Sequence, residues 1–484
     1  MKWLWGFCLV TALAHGEGIE LDVPSSSLTV SNHSLFTNAQ FLGEPPKPYR
    51  FLSEMDLRGD AGRFTAQVLT THRFAVSTND GLDRPVTLEK KTLSFETEHW
   101  KLVAGDSHLE LGRGIALSLF RDPVLGLDNT LEGGYVKFSP DGWDAQVFGG
   151  RALAIANPVA INPMQSTFVG RTLWLAGGAV KRKWNGAALG GHYLLTMNRR
   201  NEDPDFDKRW HTAGANFSLE QFAPGWDLYA ESNFLAREPL GSTTLSTTYG
   251  RGSYASLIYS PGAWKLKLEG KDYGDYFYDF QRPPTLEEDV VTTLNFNNVT
   301  AGRFWAERRL GVYEMVRTSL LFGHDRIAHS DIGHAVVSGK WKLGPAAFEA
   351  RAGYRWIAAQ EDLIHGDIKT KLPTWQGQAF EFGVRKLYRH NNFNGLVTLD
   401  DRNFVDFGYT FSSHWSLTAG YEFVPSYPVA SGQHFANVGT LVKYDGFSTR
   451  ASVGSTSGGP QCSGGICRLV PAYSGFLLES TLTL

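Results

Sequence analysis

The chain has 484 residues, of which 42% are hydrophobic, 13% aromatic and 20% charged, with 52 glycines and a formal net charge of −3. That balance supplies no basic surface of the kind nucleic acid selects, and no nucleic-acid partner is expected. The length would divide into about three ordinary soluble domains, but a large all-β barrel of this size runs as one unit.

The first residues have the form of a cleavable export signal. Lys2 gives a positive start, Trp3 to Leu13 form a short apolar run, and Ala12-Leu13-Ala14 is a small-x-small cleavage site that places the mature start near His15. A helix needs about 20 apolar residues to span a bilayer, and this run is shorter. Cys8 lies inside it without a lipoprotein box before it. Residues 1–14 are therefore expected as signal peptide, 15–32 as a short periplasmic segment and 33–484 as a transmembrane barrel. The first strand-like segment runs from Leu35 to Leu42. The stretch before it leaves no room for an N-terminal plug domain, which argues against an energised transporter.

From there on, segments alternate apolar and polar residues, the pattern of strands with one lipid-facing and one lumen-facing side. Leu266 and Leu268 oppose Lys265, Lys267, Glu269 and Lys271. Phe348, Ala350, Ala352, Tyr354 and Trp356 oppose Glu349, Arg351 and Arg355. Leu417, Ala419, Tyr421 and Phe423 oppose Ser416, Thr418, Gly420 and Glu422. Tight-turn signals recur at Asp141-Gly142, Asn185-Gly186, Pro224-Gly225, Pro261-Gly262 and Asp445-Gly446. Trp143, Trp226, Trp264 and Trp415 follow such turns, and Trp184 and Trp341 precede them. Indoles gathered at one strand end predict an interfacial aromatic girdle.

The opposite ends carry long polar stretches, at 76–90, 153–170, 200–208, 237–249, 274–297, 358–375, 425–433 and 456–467. Short turns on one side and long loops on the other are the outer-membrane pattern. The fold class expected is all-β: a transmembrane antiparallel up-and-down β-barrel without a plug domain, of about 24 strands within a range of roughly 20 to 26. The last strand alternates to Leu484, where an aromatic residue is usual.

The inferred lumen wall includes Lys265, Lys267, Glu269, Lys271, Glu349, Arg351, Arg355, Asp227, Glu231, Asp144 and Arg450. Such charges can tune which solutes pass, although a solvated wall with cross-strand ion pairs explains them more simply. In Gly112 to Asp122 the glycines mark a bend or close approach, from which Arg113 could enter the lumen and hold an infolded loop. His324, His329 and His334 recur at a spacing that alternates strand faces, which is poor geometry for one metal site, and no metal or other cofactor is expected. Cys462 and Cys467 close a short loop that an oxidising compartment would join as a disulfide.

Three runs resemble an uncharacterised (domain-of-unknown-function) family of bacterial outer-membrane β-barrel proteins. They are Gly112-Arg113-Gly114-Ile115 with Leu127 to Gly133; Lys271-Asp272-Tyr273-Gly274 with Pro283-Pro284-Thr285-Leu286; and Cys462 to Cys467 running into Val470-Pro471-Ala472-Tyr473. The chain departs from the expected pattern at Arg282, where Asn is usual. The resemblance implies fold and outer-membrane location, and no activity, so no functional residue is carried over from it.

The chain has no Gly-x-Ser-x-Gly elbow, His-Glu-x-x-His, phosphate loop or haem-attachment motif, and no catalytic residue or enzymatic activity is assigned. The function expected is a porin-like channel for small polar solutes in the outer membrane. The alternative is a barrel that sheathes or anchors a periplasmic lipoprotein or multihaem cytochrome, and an outer-membrane hydrolase is the weakest reading. The expected partners are otherwise outer-membrane lipid and the barrel-assembly machinery.

Overall fold

A computed structural model describes residues 26–484 apart from 38–39, 42–49, 76–83, 123–126, 155–170, 199–207, 240–245, 277–283, 285, 287–297, 359, 375–376, 394–395, 426–432, 458, 464–465, 471–472 and 484. Among the described residues there is no helix; the chain is a closed antiparallel barrel of 24 strands. In chain order the first twelve wall strands are β1 Ser26–Thr37, β2 Arg50–Ala61, β3 Phe64–Ala75, β4 Arg84–Glu96, β5 Trp100–Ser107, β6 Leu131–Phe138, β7 Trp143–Ala154, β8 Arg171–Trp184, β9 Ala187–Asn198, β10 Lys208–Ala223, β11 Trp226–Pro239 and β12 Thr248–Tyr259. The second twelve are β13 Trp264–Gly274, β14 Val299–Arg309, β15 Met315–Asp325, β16 Ser330–Leu343, β17 Ala346–Ile357, β18 Glu361–Pro373, β19 Ala379–Phe393, β20 Leu396–Ser412, β21 Trp415–Val424, β22 Gln433–Tyr444, β23 Phe447–Thr456 and β24 Tyr473–Thr483. Each strand pairs with its neighbours in sequence, and β1 closes the wall against β24, with His33 opposite Thr481 and Leu35 opposite Glu479. Closure gives every wall strand a paired neighbour on each side, which a membrane requires because lipid offers no hydrogen-bond partners.

The tight turns at Asp141-Gly142, Asn185-Gly186, Pro224-Gly225, Pro261-Gly262 and Asp445-Gly446 all lie at one end, although β15–β16 and β17–β18 are also joined by short turns at the other. At Asn185-Gly186 the register closes from Trp184 onto Ala187, and at Asp445-Gly446 from Tyr444 onto Phe447. Both glycines have left-handed backbones (φ 72° and 73°), which two-residue hairpin loops favour. At Gly446 a Cβ would also come within 2.5 Å of the Thr483 carbonyl oxygen.

Register partners share a face, so the two sides of the wall can be followed around it. Glu231 lies opposite Asn216 and Tyr254, Tyr254 opposite Lys271, and Lys271 opposite Ala301. This enclosed side also carries His334, Arg355, His365 and Asp367, all buried. The other side carries the exposed apolar residues, among them Val147, Phe234, Leu268, Phe304 and Val453. The barrel therefore has no core between layers, and its buried apolar cluster sits inside it.

Two expectations are corrected. Among the described residues the wall begins at Ser26, not near residue 33, because Ser26 to Thr37 pairs with β2 along its whole length and with β24 from Ser31 onward. The stretch 358–375 is not an outer loop: Glu361–Pro373 is strand β18, whose outward Ile364, Ile368 and Leu372 alternate with inward His365, Asp367, Lys369 and Lys371. Residues 1–25 lie outside the described set, and the described interior is filled on one side by the segment after β5.

Candidate functional site

Between β5 and β6 the chain turns inward. Leu109–Leu111 pairs with Leu117–Leu119 as a small hairpin. Its turn contains Gly112 and Gly114, both left-handed (φ 64° and 75°). Both arms read Leu-x-Leu, and Leu111, Ile115 and Leu117 are each no more than 1% exposed. They join an apolar cluster that includes inward-facing Leu131, Ala152, Leu173, Leu175, Leu194 and Leu235 of β6 to β11. Burying a Leu or Ile side chain stabilises by about 1.5–3 kcal/mol. Several together suffice to hold the hairpin against the wall.

A buried polar latch fixes its tip. The Glu231 carboxylate accepts the Arg113 backbone N–H at 2.9 Å, the Tyr229 hydroxyl at 2.5 Å and Asn233 Nδ2 at 2.9 Å. His192 Nε2 lies 2.5 Å from Asn233 Oδ1. The Arg113 guanidinium stacks 3.8 Å from the Tyr229 ring centroid and its Nη1 reaches Ser256 Oγ at 3.5 Å. A buried carboxylate persists only when so surrounded. Gly112 fits because it has no side chain: a Cβ there would lie 1.9 Å from Glu231 Oε1.

A second network continues along the wall. Tyr254, whose ring lies 5.8 Å from the Arg113 guanidinium, donates to Glu269 Oε1 at 2.5 Å. Glu269 also holds Lys267 Nζ at 2.8 Å and Arg303 Nε at 2.8 Å. Arg303 Nη1 donates to the Leu286 carbonyl at 2.9 Å, tying the connection after β13 to the wall. Further round, His334 and His365 meet at 2.9 Å through their Nε2 atoms. Arg355 binds Glu361 with Nε at 2.8 Å, and Arg351 Nε binds Asp367 at 2.8 Å.

Burial divides the lumen wall into two parts. The side chains of Glu269 and Arg355 are 2% and 1% exposed, whereas those of Glu349, Lys371 and Glu381 are 45%, 57% and 50% exposed. On that open part Lys340 pairs with Glu349 at 3.0 Å and Lys371 with Glu381 at 2.6 Å. A groove of about 630 Å³ runs there past Lys369, Asp406, Asn437 and Arg450, floored by Gly383, Gly408 and Gly420.

The residues singled out from sequence are distributed as follows. Lys265, Lys267, Glu269 and Lys271 lie on β13, all facing inward; Glu349, Arg351 and Arg355 lie inward on β17, four strands away. Arg113 joins the first group through Tyr254 and does not approach the second. Trp143, Trp184, Trp226, Trp264, Trp341 and Trp415 all face outward at the tight-turn end, joined by Trp100. Arg182 and Arg308 stack on Trp143 and Trp264 at 4.6 and 5.2 Å. His324 faces outward, 2.8 Å from Asp331, while His334 faces inward, and His329 lies in the turn between them, so the three histidines do not converge. Cys462 and Cys467 are register partners in a small hairpin outside the barrel wall; their side chains lie outside the described residues.

Sequence reasoning missed the partners of the latch, Tyr229, Asn233 and His192, as well as Tyr254 of the second network and the His334–His365 pair. One signal was available. In Leu173-Trp174-Leu175 both faces are apolar, which marks a strand covered on both sides.

The fold is similar to solved outer-membrane proteins. A structure of the Escherichia coli P pilus tip assembly intermediate PapC-PapD-PapK-PapG matches with a TM-score of 0.54 at 10% identity, covering 97% of this chain and 62% of that one. The P pilus usher (PapC) translocation pore matches at 0.48 and 9% identity, covering 95% and 99%. The OccK8 (OprE) protein of Pseudomonas aeruginosa matches at 0.41 and 12% identity, covering 72% and 97%. At these identities the likeness shows fold alone. No curated protein matches the chain. Residues 274–484, from the end of β13 to the end of the chain, match the Family of unknown function (DUF6029), and the chain as a whole folds as a closed 24-strand β-barrel similar to those outer-membrane proteins.

Proposed function

We propose that the protein is a channel of the outer membrane, passing small polar solutes along the open part of its lumen, with the Leu109–Leu119 hairpin as a fixed constriction. The observation that carries this reading is the division of the inner wall. One part is sealed by a latched apolar hairpin, and the other presents exposed charges along a groove of about 630 Å³. A wide barrel without any inserted segment would discriminate poorly. A hairpin held by Glu231 narrows the path while leaving charged side chains to contact what passes. In this reading the chain is exported by residues 1–14 and Cys462 and Cys467 form a disulfide, which alkylation of the unreduced and reduced protein followed by mass measurement would detect.

Single-channel recording of the purified full chain in planar bilayers tests the proposal. Steady openings are expected, and they should widen when Gly112→Val displaces the hairpin. A folded, heat-modifiable barrel that stays silent in both forms would sink the channel reading and favour a barrel that sheathes or anchors a partner protein.

A further inference from the structure

Charge on the lipid side of a barrel is costly at the depth of the acyl chains and cheap at the interfaces. The outward residues of β7 run Trp143, Ala145, Val147, Gly149, Arg151; those of β13 run Trp264, Leu266, Leu268, Gly270, Asp272. In both strands charge returns eight residues beyond the girdle tryptophan. At about 3.3 Å per residue that is roughly 26 Å of strand, or about 20 Å of depth once a tilt near 40° is allowed for. These charges therefore stand at the opposite interface, the end with the long connections.

Two clasps are built there. In one, Asp272 holds two guanidiniums side by side: Arg251 Nη2 at 3.0 Å, and Arg326, which also bonds Thr300. In the other, Glu132 sits between Lys91 Nζ at 3.1 Å and Arg151 Nε at 3.2 Å. Asp106, which accepts the Lys91 backbone N–H at 2.8 Å, is the further carboxylate of this second clasp. The cationic side chains remain open to the surroundings: Arg251 is 65% exposed, Lys91 59%, Arg151 53% and Arg326 35%.

We propose that these clasps bind the phosphorylated headgroups of lipids in the outer leaflet. Each carboxylate fixes two cations in place before the ligand arrives, which lowers the ordering cost of binding. Guanidiniums present paired N–H donors that match phosphate oxygens, and their depth is that of headgroups. The inference rests on the orientation used above, with the long connections outside, and not on conduction through the lumen.

The test uses the full chain reconstituted in vesicles of phosphatidylcholine with or without phosphatidic acid, with retained lipid counted by native mass spectrometry. The phosphomonoester lipid should be retained over phosphatidylcholine. In the R251Q/R326Q and K91Q/R151Q variants its apparent affinity should fall about fivefold for each cation removed. Retention unchanged in both variants would overturn the proposal. So would full competition by inorganic phosphate, which would mark a site for free anions. Bilayer recording of the same samples keeps the two readings apart: a silent barrel that retains the lipid fails only as a channel.

Discussion

At the scale of single residues, Glu231 and Gly112 decide whether the hairpin stays inside. Three donors converge on the Glu231 carboxylate, and all lie where water is scarce. Replacing it by Ala leaves those donors without an acceptor, at a cost on the order of 3 kcal/mol. Glu231→Ala is expected to loosen the hairpin without opening the wall, and proteolysis between residues 108 and 130 of the folded barrel would report it; full protection would count against the latch. Gly112→Ala meets two penalties, a left-handed backbone worth about 1–2 kcal/mol and a Cβ 1.9 Å from Glu231 Oε1. It should raise conductance in the same direction as Gly112→Val. An unchanged conductance would mean that the hairpin does not border the path.

At the scale of elements, the hairpin and the wall depend on different contacts. Leu117 is fully buried, so Leu117→Ala should cost about 2–5 kcal/mol. That loss falls on docking of the hairpin, and the wall hydrogen bonds are untouched. Protease sensitivity of the hairpin should therefore increase while the unfolding midpoint of the barrel changes little. The wall itself responds to charge by face. Leu268 faces outward in the middle of the apolar band, 56% exposed, and Leu268→Arg should cost about 2–4 kcal/mol of folding into vesicles. Thr418 faces inward on the open part, and Thr418→Arg should cost little. Equal penalties at the two positions would contradict the assignment of faces.

At the scale of the whole molecule, the barrel is asymmetric. The inner wall from β6 to β16 contributes to the buried cluster, while the groove past β17 to β23 keeps inward charges such as Lys371 and Glu381 exposed; on the same strands Arg402 and Glu422 are largely buried. Conduction confined to the open part should respond to Lys369 and Arg450 and ignore the buried Lys271. Substituting Lys369 and Arg450 by Gln is expected to shift the reversal potential in a salt gradient toward cations. A reversal potential that moves with Lys271→Gln instead would place the path on the sealed part.

Much of this architecture was legible in the chain because each feature is local. Alternation sets strand faces, Asn185-Gly186 and Asp445-Gly446 set two-residue turns, and tryptophans beside turns set one rim. These depend on sequence neighbours and on a single solvent boundary, so length, turn chemistry and the period of two were enough to place the faces of β13 and β17 and to count the wall. Arg113 could be suspected of entering the lumen from its glycines alone. What only the tertiary structure decided is what each inward residue meets. Glu231 lies 118 positions from Arg113, and His334 lies 31 from His365; no periodicity relates such pairs. The boundary of β18 was misread because its inward face is mostly polar, with His365, Asp367, Lys369 and Lys371, and only Ile364, Ile368 and Leu372 on the outward face mark it as a strand. The division of the lumen into a sealed and an open part arises because one connection folds back across the wall, and its contacts are set by closure of the barrel, not by any segment of the chain taken alone.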